Sequence, residues 1–580
     1  MTQELNQNPY ADRFWKKSWD EGIHDLDPKD WESVGHFAES LRPAFEQYAD
    51  SIALAYLGKE ITYAELDEYS NQFAQMLIAN GFNKGDVVAI NMPNIPEYVV
   101  ALVGAQKAGC IVSGVSPLLS TVQIEYQLND LGSGDKKVCL ATLDAVFEGH
   151  ITKIYSKVPA LKLVVTTNVA SFLGKIKLTL AKLLKKVPKG KVTPLPGITV
   201  LDFHGDVFKN YPTTPVNVDI NNDDIAYIQY TGGTTGPPKG AMLTHKNALS
   251  DLLIVQHWLG WERGDVIACS GFPFFHIAGL FFCENLLYLA GLQILIPNPR
   301  DTDHICKEIE KYKPNSLVNV PSLFQLLLKN PKFAELDHDT VRVCISAASP
   351  FPVESQKQLE NIVGKGKLLE VYGMTETSPL TTMNPYEREK KLGSIGLPLP
   401  NTDLKLVDPD TGKVVPIGDA GEICVRGPQI MEGYYNKPEE TKKALDADGF
   451  MHTGDVAVMD EEGYLRIVDR TKDMIIVSGF KVFSTKIEDV LSKHPAVDLI
   501  ALVGVPNLDR PGSEIVKAFV KLTPEYEAKN KEAVREEFIA FAKENCSPYE
   551  VPKIIEFSDE IPLTAVGKVD KKVLRAQANK

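Results

Sequence analysis

The chain has 580 residues, of which 44% are hydrophobic and 24% are charged, a balance typical of a soluble globular protein. This length exceeds what one hydrophobic core usually supports, so we expect at least two domains. The formal net charge is -14 at pH 7. Because nucleic acids are polyanions, this charge argues against a nucleic-acid partner.

The cysteines and the N-terminal residues indicate the cellular compartment in which we expect the protein. Eight cysteines are scattered along the chain without a CxxC pair, which predicts reduced thiols and neither zinc ligands nor a disulfide framework. The first residues, MTQELNQNPYADRFW, lack a basic-then-apolar targeting signal. We therefore expect a cytoplasmic protein, unless a segment draws it to the inner face of a membrane.

The most apolar long stretch runs from Gly279 to Ile296 and is interrupted by Glu284, Asn285 and Gln293. A bilayer span needs about 20 predominantly apolar residues. We therefore interpret this stretch as a buried helix followed by a strand.

The first elements alternate between strands and helices. The segment 52–66, IALAYLGKEITYAEL, predicts a hairpin that turns at Gly58 and Lys59. A helix is expected to open at Thr62, with Glu65 completing a capping box. The following strand, helix and strand are predicted at 87–90, 96–108 and from Cys110 onward. This alternation predicts an α/β protein with layered, largely buried sheets.

The segment 171–191, SFLGKIKLTLAKLLKKVPKGK, carries seven lysines and no acidic residue. Its apolar residues recur at helical spacing between Phe172 and Val187. A basic amphipathic helix can lie on an anionic membrane, where each lysine contributes about 1 kcal/mol. The alternative is a solvated helix whose apolar stripe packs on its own domain. Composition does not separate the two.

The strongest motif is YTGGTTGPPKGAMLTH at 230–245. An apolar strand predicted at 225–230 leads into it. Glycines let backbone N–H groups converge on a phosphate, threonine hydroxyls add donors, and Lys239 adds a positive charge. A glycine-rich turn alone is usually structural, but the combination predicts a polyphosphate-binding loop.

This loop differs from the Walker phosphate loop. Pro238 and Gly240 flank the lysine, whereas the Walker pattern has glycine before it and serine or threonine after it. The chain is also expected to continue into a strand at 241–243, where a Walker loop continues into a helix.

The second motif is VYGMTET at 371–377. The Glu376 carboxylate is a hard oxygen ligand suited to Mg²⁺ beside phosphates, and Tyr372 offers a flat face for a purine. Taken alone, this segment fits an ordinary strand-to-loop edge equally well.

Together the two motifs resemble those of the adenylate-forming superfamily, which contains acyl-CoA synthetases, luciferases and peptide-synthetase adenylation domains. The resemblance extends over nearly the whole chain, and the motif sequences most resemble those of bacterial long-chain fatty-acid–CoA ligases. It implies a large N-terminal α/β domain, a small mobile α+β C-terminal domain, and the use of ATP, Mg²⁺ and coenzyme A.

The resemblance implies roles for the residues of both motifs. Tyr372 and Gly373 would contact adenine, Thr375 the α-phosphate, and Glu376 with Thr231 the metal ion. The residues of the phosphate loop implied to bind ATP are Thr231, Gly232, Gly233, Thr234, Thr235, Gly236 and Lys239.

The third motif, MHTGDVAVMDEEGYLRIVDRTKD, occupies 451–473. Asp455 follows a glycine turn and is suited to accept hydrogen bonds from two ribose hydroxyls, and Arg470 supplies a planar set of donors. The resemblance implies ribose and phosphate contacts for this pair and a hinge at Lys472.

The fourth motif, PLTAVGKVDKKVLR, occupies 562–575. Composition alone does not select Lys568 over Lys571 or Lys572. The match to P-x-T-x-x-G-K implies that Lys568 is the adenylation lysine, which would contact ATP and the acyl carboxylate. With Lys239, Thr375 and Glu376 it completes the implied catalytic set.

Two weaker matches concern the acyl group and coenzyme A. His276 lies among apolar residues in FPFFHIAGL and fits a core histidine, but the resemblance implies a gate near the acyl site. The loop containing Ser478, Gly479 and Phe480 resembles the one that receives coenzyme A.

Three residues depart from the pattern of the family. Ala347 and Ala348 stand where many relatives carry glycines beside the acyl chain and adenine. Ala347 is therefore a candidate acyl contact that narrows the tunnel, and Ala348 a candidate ATP contact. Thr471 stands where an apolar residue is frequent, and we attach no consequence to it at this level.

The sequence pattern changes near Asp469, and a compact α+β unit is predicted beyond this residue. A helix is expected near Ser484, and the later elements are strands at 499–505, 516–522 and 554–557 and a helix at 530–544. We expect an N-terminal AMP- and acyl-binding domain at 1–469, a hinge at 470–473 and a mobile C-terminal domain at 474–580.

The predicted reaction converts a medium- to long-chain fatty acid to acyl-AMP and then to acyl-CoA. The alternatives are a CoA ligase for an aromatic or alicyclic acid, a luciferase-like oxygenase, and a peptide-synthetase adenylation unit, although no carrier domain follows Lys580. A non-catalytic acyl- or nucleotide-binding membrane protein is another. The intact set of Lys239, Glu376, Asp455, Arg470 and Lys568 argues against it. A homodimer is compatible with all of these readings.

Overall fold

The computed structural model describes residues 8–173, 187–188, 190–231, 237–478, 480–507, 510, 513–563 and 569–578. It is a mixed α/β protein, as the sequence predicts. Among these residues, no helix is both long enough and apolar enough to cross a bilayer.

Two large sheets form the N-terminal part of the described chain. Sheet A has the strand order Leu397–Pro398, Leu380–Met383, Leu368–Gly373, Val343–Ser346, Ser316–Asn319, Ile267–Ser270, Leu292–Leu295, Ile52–Tyr56 and Lys59–Thr62. Sheet B has the order Gly433–Tyr434, Lys239–Thr244, Ile225–Thr231, Ile111–Gly114, Val87–Asn91, Val138–Leu143, Leu161–Thr167 and Thr199–Asp202. The central strands of both sheets pair in parallel and are buried, as is usual for sheets covered by helices. Leu380–Met383 in sheet A and Lys239–Thr244 in sheet B pair antiparallel with both of their neighbours.

Three smaller sheets follow. Sheet C contains Asp403–Val407, Ala420–Arg426, Met451–Met459 and Leu465–Arg470, all antiparallel. The C-terminal part has a hairpin of Ile475–Val477 and Phe480–Val482 and a sheet of Val497–Pro506, Glu514–Leu522 and Ile554–Phe557. The α+β unit predicted beyond Asp469 is therefore present.

Helices pack on and between these sheets. The described α-helices are Pro28–Glu32, Phe37–Ser40, Arg42–Gln47, Tyr63–Ala79, Pro96–Lys107, Thr121–Leu131, Asp144–Val146, Thr152–Ile154, Phe208–Asn210, His245–Leu259, Ile277–Tyr288, Thr302–Tyr312, Pro321–Leu328, Pro331–Glu335, Val353–Val363, Pro438–Ala444, Ser484–Leu491, Pro524–Glu527, Lys531–Asn545 and Lys571–Ala578. Shorter 3-10 or π turns lie at Phe14–Ser18, Phe147–Ile151, Tyr155–Lys157, Ser171–Leu173, Phe203–Val207 and Thr375–Thr377.

The predicted first hairpin is confirmed, but its turn is displaced by one residue. Leu57 and Gly58 form the turn, with φ of 48° and 84°, and Lys59 already belongs to the second strand. A two-residue turn of this kind needs positive φ at both central positions, a conformation that a leucine rarely signals. The capping box is also confirmed, since Thr62 and Glu65 exchange side-chain to backbone hydrogen bonds of 3.0 and 3.2 Å.

The apolar stretch after Gly279 is confirmed as a helix, Ile277–Tyr288, and a strand, Leu292–Leu295. Glu284 is buried here and accepts a hydrogen bond from the Tyr227 hydroxyl. Burial raises the pKa of Glu284 to about 8, because desolvation disfavours the charged form. The carboxyl is therefore protonated at neutral pH, which lets it lie in the core.

The basic segment falls largely outside the described residues, which omit 174–186 and 189. The flanks are described. Phe172 packs edge-on against Tyr69 and His204, with ring centroids 5.8 and 4.7 Å apart. The Pro188 carbonyl accepts a hydrogen bond of 2.9 Å from the Asn168 side chain. The prediction of a helix across this segment is not tested.

Candidate functional site

The glycine-rich motif joins two antiparallel strands of sheet B, Ile225–Thr231 and Lys239–Thr244, so both predicted strands are confirmed. Thr231 and Lys239 are direct register partners, so they close the base of the loop. The loop residues Gly232, Gly233, Thr234, Thr235 and Gly236 lie outside the described residues. The structure therefore fixes the position of the loop ends and not its conformation.

Lys239 links the loop to the segment at 433–440. Its Nζ lies 3.0 Å from Glu440 Oε2 and 4.4 Å from the ring centroid of Tyr434. The Tyr434 hydroxyl in turn donates a hydrogen bond of 2.5 Å to Glu376 Oε1. The structure thus brings the lysine of the first motif and the glutamate of the second to the same aromatic ring.

Glu376 lies in the short turn Thr375–Thr377, which follows the strand Leu368–Gly373 of sheet A. Only 5% of the residue is exposed, and burial raises the pKa of its carboxyl. Lys239 opposes this shift electrostatically. A buried carboxylate of this kind gains stability when a cation approaches it.

A second cluster joins sheets A and C. The Tyr372 hydroxyl donates a hydrogen bond of 2.8 Å to Asp455 Oδ2, and Arg470 Nε lies 3.0 Å from Asp455 Oδ1. Asp455 and Arg470 are cross-strand partners in sheet C. Burial, reinforced by the Asp455 carboxylate, raises the pKa of Tyr372 well above its usual value. The structure therefore brings residues of the second and third motifs into contact.

Sequence reasoning missed Glu422, which supports this cluster from the neighbouring strand Ala420–Arg426. Its Oε1 accepts a hydrogen bond of 2.9 Å from the Gly454 amide, and its Oε2 lies 3.0 Å from His452 Nδ1. Gly454 has a φ of 73° and directly precedes Asp455. The carboxylate therefore fixes the turn that presents Asp455. An acidic residue in the middle of the strand sequence AGEICVR was the available signal.

Glu422, Cys424 and His452 also have the composition of a metal site, since their ligand atoms all lie within 4.8 Å of one another. Their arrangement follows from strand pairing, because Cys424 and His452 are register partners. The Gly454 amide already occupies one Glu422 oxygen. Hydrogen bonding accounts for this cluster without a metal ion.

Comparisons with known proteins identify the family. The family model described as AMP-binding enzyme matches residues 41–435, and the model of the AMP-binding enzyme C-terminal domain matches residues 486–568. The chain belongs to the AMP-binding enzyme family.

Its relatives include a long-chain-fatty-acid–CoA ligase of Escherichia coli, 39% identical over 93% of this chain and 95% of the relative. Among solved structures, the anthranilate CoA ligase AuaEII in complex with anthranoyl-AMP has a TM-score of 0.81 at 26% identity, covering 96% of this chain and 99% of that one. ATP-bound MatB from Rhodopseudomonas palustris has a TM-score of 0.78 at 28% identity, covering 94% of this chain and 99% of that one.

In this AMP-binding enzyme, the two alanines that stand where many relatives carry glycine directly follow the strand Val343–Ser346. Ala347 is 7% exposed, and Ala348 has a φ of 74°. This left-handed conformation favours glycine and costs other residues about 1 kcal/mol. The geometry explains why a glycine suits position 348, whereas the structure gives no equivalent reason at position 347.

Thr471 acquires a structural role that the sequence did not reveal. Its amide and its hydroxyl donate hydrogen bonds of 2.9 and 3.3 Å to the Gly454 carbonyl. Since the Gly454 amide donates to Glu422, both backbone polar groups of this glycine are engaged. The linker is therefore attached to the turn that carries Asp455.

Beyond Thr471 the linker belongs to the C-terminal part. Asp473 forms an ion pair with Arg575. Burial of the Lys472 ammonium lowers its pKa to about 8, and electrostatic repulsion from Arg470 makes a smaller contribution in the same direction. Lys472 thus lies between a residue bonded to sheet C and a residue bonded to the last described helix.

The C-terminal lysines differ in their partners. Lys571 Nζ lies 2.7 Å from Glu488 and donates to Ser484 Oγ at 2.8 Å, so it is engaged within its own domain. Lys568 lies outside the described residues. The structure thus gives Lys571 a structural function and leaves the role of Lys568 as a prediction.

The residues predicted to contact the acyl group and coenzyme A lie on different elements. His276 caps the helix Ile277–Tyr288 by accepting a hydrogen bond of 3.3 Å from Ala278 at Nδ1. Phe480 is 56% exposed and stacks on Tyr549 with ring centroids 4.7 Å apart. Ser478 is exposed at the hairpin tip, and Gly479 lies outside the described residues.

Replacing Glu422 tests whether it positions Asp455. We expect Glu422→Ala to raise the KM for ATP about tenfold, because the half-buried Gly454 amide loses its acceptor and the turn loosens. It should also lose much of its preference for ATP over 2′-deoxy-ATP, since Asp455 is the residue suited to ribose hydroxyls. Steady-state kinetics with both nucleotides measure this.

The matched control is Glu461→Ala, which removes an exposed carboxylate at the hairpin turn of the same sheet. Thermal melting of both variants separates a positioning effect from unfolding. Unchanged discrimination between the two nucleotides in folded Glu422→Ala would contradict the role.

Proposed function

We propose that the protein activates a long-chain fatty acid with ATP, releasing pyrophosphate, and then transfers the acyl group from acyl-AMP to coenzyme A, releasing AMP. The observation that carries this proposal is the convergence of Lys239 and Glu376 beside the Tyr372–Asp455–Arg470 cluster. The 39% identity to a long-chain-fatty-acid–CoA ligase over 93% of the chain supports the same activity.

The chemistry explains why the site needs cations. A carboxylate is a poor acyl donor, so its oxygen attacks the α-phosphorus of ATP, the α–β phosphoanhydride bond breaks, and pyrophosphate leaves. The resulting mixed anhydride divides one difficult step into two easier ones. Since two anions must meet, positive groups have to be in place beforehand. In this proposal Lys239 binds the departing pyrophosphate and Lys568 contacts both the carboxylate and the α-phosphate.

The donor set of the site fits Mg²⁺. Glu376 supplies a buried carboxylate and Thr231 a hydroxyl, and hard oxygen donors are what this ion prefers. The strand ending at Thr231 packs against the turn that carries Glu376. Glu376 and Thr231 would hold the ion, which supplies charge neutralisation to the triphosphate when bound. Thr375, Tyr372, Gly373 and Ala348 complete the proposed ATP contacts.

The two half-reactions need two arrangements of the domains, which we assign to 1–469 and 474–580 with a hinge at 470–473. The contacts of Thr471 with Gly454 and of Asp473 with Arg575 support Lys472 as the pivot. Rotation about this pivot would withdraw Lys568 and bring the loop of Ser478, Gly479 and Phe480 to the acyl-adenylate, where the thiol of coenzyme A attacks.

A CoA ligase for an aromatic acid is the second candidate, because the anthranilate CoA ligase shares the fold with a TM-score of 0.81. His276 and Ala347 are the proposed acyl contacts in either case. The higher identity to the fatty-acid enzyme favours the long-chain substrate.

A panel of acids tests the substrate class. With ATP, Mg²⁺ and coenzyme A, we expect kcat/KM for palmitate to exceed that for benzoate or anthranilate by about a hundredfold or more, since each buried methylene contributes about 0.8 kcal/mol. Release of AMP is the measurement. Preference for an aromatic acid would establish the second candidate, and no AMP with any acid would indicate a non-catalytic binding protein.

Replacing Lys568 tests whether this lysine serves adenylate formation and not thioester formation. We expect Lys568→Ala to reduce carboxylate-dependent exchange of pyrophosphate into ATP by at least about a hundredfold, while thioester formation from supplied acyl-AMP persists. Lys571→Ala is the control, since its partners are structural. Equal loss of both half-reactions in Lys568→Ala would refute its role.

We also propose that the basic segment 171–191 brings the enzyme to the cytoplasmic face of an anionic membrane, where long-chain acids partition. Its seven lysines without an acid support this. Co-sedimentation should rise with the fraction of phosphatidylserine or phosphatidylglycerol in vesicles and fall with added salt. Binding that does not depend on anionic lipid would leave the segment as ordinary packing.

A further inference from the structure

Glu440 lies beside the proposed phosphate site, yet no motif includes it. It belongs to the helix Pro438–Ala444, which follows the edge strand Gly433–Tyr434 of sheet B. This helix is firmly attached. The Tyr435 amide donates a hydrogen bond of 2.8 Å to the Gly240 carbonyl, and the Tyr434 amide donates one of 2.9 Å to Thr441 Oγ1. The backbone that carries Glu440 is therefore fixed next to Lys239.

The Glu440 carboxylate binds two lysines. Oε2 lies 3.0 Å from Lys239 Nζ, and Oε1 lies 2.7 Å from Lys443 Nζ. Hydrogen bonding to Lys443 and then to Lys239 lowers the pKa of Glu440 to about 2. Since this value is far below neutrality, the carboxylate is an anion under all working conditions.

Lys239 is held from two sides. Glu440 contacts its ammonium on one side, and the face of Tyr434 lies 4.4 Å from it on another. A lysine ammonium has only three N–H donors. Because Glu440 and the Tyr434 ring already contact this ammonium, a phosphate oxygen that takes a charge-assisted hydrogen bond from Lys239 shares its positive charge with the Glu440 carboxylate.

We propose that Glu440 is an internal counter-ion that competes with the polyphosphate of ATP and with pyrophosphate for Lys239. The inference rests on the proposed function, because it takes Lys239 as a phosphate ligand. By competing, Glu440 weakens the binding of both anions. Once the α–β bond has broken, the carboxylate can take back the ammonium as pyrophosphate departs. The enzyme thus gives up some affinity for ATP and gains resistance to inhibition by its product.

The neighbouring residue provides a matched control. Glu439 lies on the same helical turn, and its carboxylate pairs with Lys442 at 3.0 Å. Glu439→Gln and Glu440→Gln therefore change the net charge equally at almost the same place. Only Glu440→Gln removes the anion that contacts Lys239.

The experiment measures equilibrium binding of pyrophosphate in the presence of Mg²⁺ by calorimetry, together with product inhibition by pyrophosphate. We expect Glu440→Gln to bind pyrophosphate about fivefold more tightly than the unmodified protein, the size of effect that a partly exposed ion pair produces. Glu439→Gln should change the dissociation constant less than about twofold. The gain in Glu440→Gln should shrink in high salt, because screening weakens exposed ion pairs.

A double-mutant cycle assigns the effect to Lys239. In a Lys239→Gln background, adding Glu440→Gln should leave the dissociation constant for pyrophosphate unchanged. Equal effects of Glu439→Gln and Glu440→Gln, or a persistent gain in the Lys239→Gln background, would overturn the proposal. Thermal melting of each variant verifies folding.

Binding and catalysis separate this inference from the proposed function. If no acid supports AMP release but the binding results follow the expected pattern, the proposed function fails and the counter-ion role stands. If the acids are activated but Glu440→Gln binds pyrophosphate like the unmodified protein, the counter-ion role fails alone.

Discussion

The antiparallel pairing of the strands Ile225–Thr231 and Lys239–Thr244 is the interaction on which the rest of the site depends. This register puts Thr231 opposite Lys239 and so determines where a hydroxyl and an ammonium stand. The edge strand Gly433–Tyr434 pairs with the second of these strands, which brings the Tyr434 ring beneath the ammonium. Through the Tyr434 hydroxyl, the buried Glu376 joins the same group. Main-chain hydrogen bonds therefore fix a set of charges that flexible side chains alone would leave apart.

The sequence was sufficient to predict the elements that depend on contacts between neighbouring residues. The capping box at Thr62, the strands flanking the glycine-rich loop and the helix after His276 all follow from adjacent residues. The same reasoning placed the hairpin turn one residue late, because nothing in the sequence indicates that Leu57 adopts a positive φ.

The residues missed in the site share a different origin. Glu440 and Lys239 are 201 positions apart, and Glu422 and Gly454 are 32 apart. Contacts of this kind are set by how strands and sheets assemble, so no window of sequence contains both partners. Thr471 shows the same limit, since its role depends on a carbonyl 17 positions earlier. The sequence therefore indicated which chemistry is present, whereas the structure indicates which charges oppose one another.

The buried carboxyl of Glu284 sets a limit on the conditions that the fold tolerates. Its pKa is raised from 4.5 to about 8, so the folded chain keeps a proton there that the unfolded chain releases above its lower pKa. The stability associated with this proton is fully present below the unfolded value and is lost as pH rises through about 8. Alkaline solution thus places a charge beside the strand that leads to the glycine-rich loop, since the partner of Glu284 is Tyr227 of that strand. The folded chain is therefore expected to lose stability in alkaline solution.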